Sequence, residues 1–169
     1  MATASSASLR SPGYALRWYL LALAVILLDQ YTKSLASAAL AYGRPEPVLS
    51  WFNLTLQHNT GAAFSFLSDA GGWQRYFFSA VAVVISIALA VWLLTLSPGQ
   101  WLLALALGLI LGGALGNLWD RLAHGYVVDF ISLHYGGWYF PAFNVADSAI
   151  SVGAACLLLD SFLTRDGGG

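Results

Sequence analysis

The chain has 169 residues, 59% hydrophobic and only 9% charged, with a formal net charge of -1 and a mean hydropathy of +0.70. Soluble domains carry about 25% charged residues, so this chain cannot clothe itself in a solvated surface and reads as an integral membrane protein. The lack of basic excess excludes a nucleic-acid partner, whose phosphates would need neutralising; the single cysteine, Cys156, excludes an internal disulfide and any multi-cysteine metal site.

In chain order, residues 1–13 are rich in Ser and Ala and read as a disordered tail. A first apolar run covers about residues 16–37. Arg10, Arg17 and the small-residue "ASA" at 36–38 imitate a cleavable signal peptide, but "DQYTKSLASA" would be an unusually long polar stretch before the cut. In the next segment Phe52, Leu54 and Leu56 alternate with Asn53, Thr55 and Gln57, the period of a half-buried strand, here expected as a ribbon resting on the membrane surface. Further apolar runs follow at about 73–96, 100–118 and 144–163, each near the roughly 20 residues that cross a bilayer core. "SPG" at 97–99 makes the turn between the second and third, and residues 165–169 form a flexible stub. Gly108, Gly112 and Gly116 in the third run have the spacing that lets another helix approach closely. Cys156 falls deep in the fourth run, where a thiolate is disfavoured, and is expected to pack.

With four spans, parity brings the end of the first and third and the start of the second and fourth to one face. That face collects the Asn59–Gly61 turn, Asn117, Asp120, Arg121, Asp129 and Asp147. Asp29 lies about 20 Å along the first helix from Leu16, at about 1.5 Å per residue, with Lys33 one turn further on. Basic residues are divided too evenly to orient the chain: Lys33, Arg44, Arg75 and Arg121 on this face, Arg10, Arg17 and Arg165 on the other.

Asp129 and Asp147 stand in "GYVVDFISLHYGGWYFPAFNVADSAI" with no Lys or Arg between them. Two close carboxylates cannot both ionise easily, so they share a proton and can activate water as base and acid. The plainer alternatives are an exposed loop carboxylate at Asp129 and a capping box between Asn144 and Asp147 at a helix start. If the pair is real, the helix N-terminus favours the anion at Asp147 and leaves the shared proton more often on Asp129. Asp29 and Lys33 have the favourable order for an i, i+4 ion pair, and Asn117 and Asp120 share a helix face. Arg121 is expected to pair with Asp120 or Asp29. His58, His124 and His134 lack metal-ligand spacing, so neither a metal nor another cofactor is implied.

Five ordered segments carry a resemblance: "DQYTK" at 29–33, "HNTGAAFSF" at 58–66, "GGALGNLWDRL" at 112–122, "VVDF" at 127–130 and "FNVADSAI" at 143–150. Together they resemble the lipoprotein signal peptidase family (signal peptidase II, a bacterial intramembrane aspartyl peptidase). Trp119 stands where Tyr would be as readily expected. The resemblance implies a mainly α membrane fold, four transmembrane helices with a small extracytoplasmic β-cradle formed by segments 38–72 and 119–143, all in one domain spanning 14–164. It implies that Asp129 and Asp147 are catalytic and that Asp29, Lys33, Asn59, Gly61, Asn117, Asp120, Arg121, Asn144 and Ala146 bind substrate or support the site. It further implies diacylglyceryl-modified prolipoprotein substrates cut N-terminal to the lipid-bearing cysteine, contact with membrane lipid, inhibition by globomycin-type cyclic peptides, and a monomer. The place implied is the bacterial inner membrane, with both termini cytoplasmic and the site toward the outer face. One of the segments 41–72 or 134–140 is expected to close over that site. The rival reading from the residues is a small proton-coupled transporter using Asp29, Lys33, Asp129 and Asp147 as a relay; a relay needs charges at several depths, whereas these gather at one face.

Overall fold

The computed structural model describes residues 12–61 and 72–166. Four helices run through it: α1 Pro12–Ala39, α2 Trp73–Leu93, α3 Trp101–Ala123 and α4 Val145–Asp166. Each is long and apolar enough to cross a bilayer. Between α1 and α2 lie strands β1 Glu46–Leu49 and β2 Phe52–Asn59; between α3 and α4 lie β3 Val127–Tyr135 and β4 Trp138–Tyr139. They form one antiparallel sheet in the order β1-β2-β3-β4. The "SPG" turn is a short 3-10 segment, Pro98–Gln100, closed by a capping box between Ser97 and Gln100.

α3 is the centre of the bundle. In its most apolar stretch 67% of the residues are buried, against 28% for α1 and 17% for α2 and α4. The others turn Leu20, Leu27, Val84, Ile87, Leu158 and Phe162 outward, as expected where lipid rather than water surrounds the chain. Without a hydrophobic drive between helices in lipid, close packing must hold them together, and the glycines of α3 supply it. A Cβ at Gly112 would lie 2.8 Å from both the Ala22 carbonyl oxygen and the Val25 Cβ of α1, and one at Gly113 would overlap the Ala146 carbonyl of α4. At Gly116 it would meet the Asp29 carboxylate at 2.8 Å. Away from the sheet, Tyr14, Ala22, Leu93, Leu103, Leu107 and Leu111 form the apolar core, where the Tyr19 hydroxyl donates to the Ala90 carbonyl at 2.7 Å and ties α1 to α2.

Two boundaries differ from expectation in ways that matter to the site. α3 continues to Ala123, past the expected end of the span near 118, so Arg121 as well as Asp120 is carried on the helix. α1 begins at Pro12, inside the expected tail, since Pro suits the first turn of a helix. β2 alternates from Phe52 to Thr55, with Asn53 and Thr55 buried and Phe52 and Leu54 half-buried, and the alternation breaks at Leu56, also buried, where the register with β3 shifts between Leu54 and Gln57. Gly136 and Gly137, in a segment expected to close over the site, take φ of 57° and 83° in the tight turn joining β3 to β4. Consecutive positive φ values are what a two-residue hairpin turn requires, and glycine meets them without strain. Residues 62–66 of the "HNTGAAFSF" motif, and much of the other closing segment, lie outside the described residues.

Helix packing through Gly112 and Gly113 carries a direct test. Gly112→Ala and Gly113→Ala should each destabilise the folded protein in detergent by about 1–3 kcal/mol, while Gly99→Ala, with nothing near its position, leaves the thermal midpoint unchanged. Equal midpoints for all three would contradict the packing.

Candidate active site

Lys33, buried on α1, directs its ammonium at three oxygens: Asp29 Oδ2 at 2.8 Å, Asp120 Oδ2 at 2.9 Å and Asn117 Oδ1 at 2.9 Å. An ammonium has three donors and no acceptor, so all its capacity is used. Asp29, fully buried, accepts the Ala146 backbone N–H at 2.9 Å through its other oxygen. Asp120 accepts the Val128 N–H at 3.0 Å and the Gln30 amide at 2.8 Å. Two carboxylates of one cluster thereby hold the first turn of α4 and the start of β3 against α1 and α3.

The cluster continues through Asn117. Its amide nitrogen donates to Asp147 Oδ1 at 2.8 Å. Asn144 makes the next link. Its backbone N–H donates to Asp147 Oδ2 at 3.3 Å, while its side-chain oxygen accepts the Asp147 N–H at 2.9 Å. This is the reciprocal capping box that the spacing suggests, so the capping reading of Asp147 and its place beside Asp129 hold together. The Asn144 amide also donates to Asp129 Oδ1 at 2.7 Å. One asparagine, wholly buried, thus touches both carboxylates.

Asp129 is no exposed loop carboxylate: it is 2% exposed on β3, in the run Val127–Phe130 that is buried throughout. The strand bulges just beyond it, where the Phe143 carbonyl accepts both the Phe130 and Ile131 N–H groups. That pinning brings Asn144 alongside. Asn59, at the end of β2, donates from its amide to Asp129 Oδ2 at 3.1 Å, and its oxygen accepts the Gly61 N–H at 3.0 Å. Burial first, then the neighbouring Asp147 carboxylate, push the Asp129 carboxyl up to about 7, against the opposing pull of the Asn59 and Asn144 amides and of Lys33.

Arg121 departs from expectation. It pairs with neither Asp120 nor Asp29, because Lys33 already occupies the space between them. Its guanidinium donates instead to the Gly61 carbonyl at 3.2 Å and the Asn117 carbonyl at 3.4 Å, and lies over the Phe78 ring. The structure therefore gathers Asp29, Lys33, Asn59, Gly61, Asn117, Asp120, Arg121, Asp129, Asn144, Ala146 and Asp147 at one end of the bundle. Gln30 belongs with them, although nothing in "DQYTK" marks it; one position from Asp29 turns it about 100° around the helix, and only the approach of α3 gives it Asp120 and the Gly116 carbonyl as partners. Cys156 is half-buried on α4, about 13 Å along the helix from Asp147 at about 1.5 Å per residue.

A family model described as signal peptidase (SPase) II matches residues 21–163. The chain is 58% identical over 147 residues to a lipoprotein signal peptidase of Teredinibacter turnerae, covering 87% of this chain and 88% of that one. It is 57% identical over 145 residues to that of Acinetobacter baumannii, covering 86% and 82%, and 51% identical over 155 residues to that of Pseudomonas aeruginosa, covering 90% and 92%. A solved structure titled as a bacterial membrane enzyme, obtained by the in meso method, superposes with a TM-score of 0.81 at 30% identity, covering 94% of this chain and 93% of that one. With four apolar spans, a small sheet and these relatives, the chain belongs to the signal peptidase II family, whose members are membrane-embedded proteases.

Proposed function

We propose that the chain removes the signal peptide from diacylglyceryl-modified prolipoproteins, cutting N-terminal to the lipid-bearing cysteine, with Asp129 and Asp147 as the catalytic pair. The observation that carries this reading is Asn144, hydrogen-bonded to both carboxylates at once. Asp129 holds the shared proton, being the buried carboxyl whose proton is retained to about pH 7. Asp147, at the first turn of α4 with two N–H donors on its oxygens, stays the anion, as a helix N-terminus favours.

In the reaction, Asp147 takes a proton from water while the oxygen attacks the amide carbon, and Asp129 gives its proton to the carbonyl oxygen. When the tetrahedral adduct collapses, the C–N bond breaks and the proton held by Asp147 goes to the departing amine of the cysteine. Asp129 recovers its proton from the hydroxyl of the adduct. Asn117, Asn144 and Asn59 keep the two carboxylates in place, and Lys33, Asp29, Asp120, Gly61, Arg121 and Ala146 support them from behind.

Both acyl chains of the substrate lie in the bilayer beside the spans, which leaves the scissile amide at the edge where water enters. The polar cluster at one end of the bundle suits the outer face of the bacterial inner membrane, with both termini cytoplasmic. Residues 14–164 act as one peptidase domain and as a monomer. A globomycin-type cyclic peptide would occupy the carboxylate pair.

Three measurements test this reading. In detergent, with a diacylglyceryl prolipoprotein and a gel-shift readout, Asp129→Asn and Asp147→Asn should stay folded and lose cleavage by at least about 100-fold, the lower range of acid–base contributions; near-normal cleavage by either variant would refute the pair. Lys33→Met leaves Asp29 and Asp120 buried without a cation and should lower stability by about 3–5 kcal/mol, seen as an early thermal transition. The third is pH-dependent. Asp129 binds its proton more tightly folded than unfolded, about 7 against 3.8, so its contribution is complete below about pH 4 and is lost as pH rises through 7. The thermal midpoint of the wild type should fall relative to that of Asp129→Asn between pH 5 and 8; parallel curves would contradict the assignment.

A further inference from the structure

β2 reaches the site as the short end of a strand. Its register with β3 shifts between Leu54 and Gln57, and beyond the shift Gln57, His58 and Asn59 pair with Asp129, Val128 and Val127. Asn59 is the last residue of β2, and its amide has to reach Asp129 Oδ2 from there. Element ends fray, so a short paired end next to an irregularity needs more than its backbone to stay in register. The neighbouring His58 supplies it. Its ring stacks on the Tyr126 ring, with centroids 3.9 Å apart and planes 19° from parallel. Tyr42 packs on the same imidazole at 4.8 Å, and His124, at the end of α3, stacks on Tyr126 at 5.9 Å. Tyr42 is itself fixed to the strand, because the adjoining Gly43 N–H donates to the Leu56 carbonyl at 2.9 Å. Four rings thus join the connection out of α1, the end of β2 and the connection from α3 into β3, one residue from Asn59. Burial, and then the neighbouring His124, hold the His58 imidazole below its usual range, so it stacks as the neutral ring at pH 7.

We infer that His58 is a positioning residue for the reaction: stacked on Tyr126, it keeps the end of β2 in register so that Asn59 holds its amide on Asp129. The role rests on the reading of Asp129 and Asp147 above, and His58 acts through Asn59 rather than on the substrate. The chemistry gives it a signature. A hydrogen bond from the Asn59 amide favours the ionised form of Asp129, so loosening that bond makes Asp129 keep its proton to higher pH. Asp147 of α4, Lys33 of α1 and Arg121 of α3 also act on Asp129 through their charge, and a substitution at His58 leaves all three in place.

The test uses the full-length enzyme in detergent. An infrared titration follows the Asp129 carboxyl without turnover, its band identified by its loss in Asp129→Asn. The midpoint should be higher in His58→Ala and in Tyr126→Ala than in the wild type. His58→Phe, which keeps a stacking ring and removes the titrating one, should return it to the wild-type value. With Asn59→Ala, where the bond is already gone, adding His58→Ala should move it no further. An unchanged midpoint in His58→Ala, no rescue by His58→Phe, or a further shift in the double variant would overturn the role. With a diacylglyceryl prolipoprotein, His58→Ala should also lower kcat about 2- to 10-fold at unchanged KM, the range of one aromatic pair, and move the alkaline limb of the kcat profile to higher pH. A raised infrared midpoint with a wild-type kcat profile would keep the positioning of Asp129 by His58 and sink the assignment of Asp129 as the catalytic acid.

Discussion

Everything at the working end of this molecule depends on one ammonium held among three oxygens. Removing Lys33 and its two carboxylates from water carries a desolvation penalty of several kcal/mol per ion, and the penalty is tolerable only because each donor has a partner. The same requirement makes the cluster specific. Asp29 accepts the Ala146 N–H of α4 on its second oxygen, and Asp120 accepts the Val128 N–H of β3 on the oxygen that faces Lys33 while its other oxygen takes the Gln30 amide. Neutralising the charges therefore sets where the fourth helix begins and where the third strand leaves the bundle. Asn117 extends the arrangement from Lys33 to Asp147.

Small residues make this geometry reachable. Gly116 faces the Asp29 carboxylate and Gly113 the Ala146 carbonyl, at distances no side chain would allow. Each glycine that weakens α3 as an isolated helix shortens the gap across which a buried charge must find its partner. Packing and electrostatics are thus one constraint: a wider separation between α1, α3 and α4 would leave carboxylates unpaired.

The sheet solves a different problem. A sheet beside a bilayer would ordinarily turn its apolar face inward and expose its polar one. β2 instead buries Asn53 and Thr55, and its polar row ends at Asn59, which bonds Asp129. A polypeptide in hydrocarbon has nowhere to satisfy its amides, so a protease acting at the membrane edge needs a polar surface ready to receive one. The inward polar face of β2 offers such a surface directly beside the carboxylates.

Composition and period alone determined that the chain spans a membrane four times, that Asp29, Lys33, Asp120, Arg121, Asp129 and Asp147 gather at one end, and that Gly108, Gly112 and Gly116 mark a close helix contact. These depend on burying backbone amides in lipid and on helical geometry, both local properties. The i, i+4 pairing of Asp29 with Lys33 and the Asn144–Asp147 capping box were legible for the same reason, since their partners lie within one turn. Only the tertiary structure decided that Lys33 takes Asp120 and so displaces Arg121 to Gly61, that Gln30 joins the cluster, and that Asn144 spans both carboxylates. Each of those depends on which of several equally suitable polar groups comes nearest once the helices have packed, and distance across space is not written in spacing along the chain.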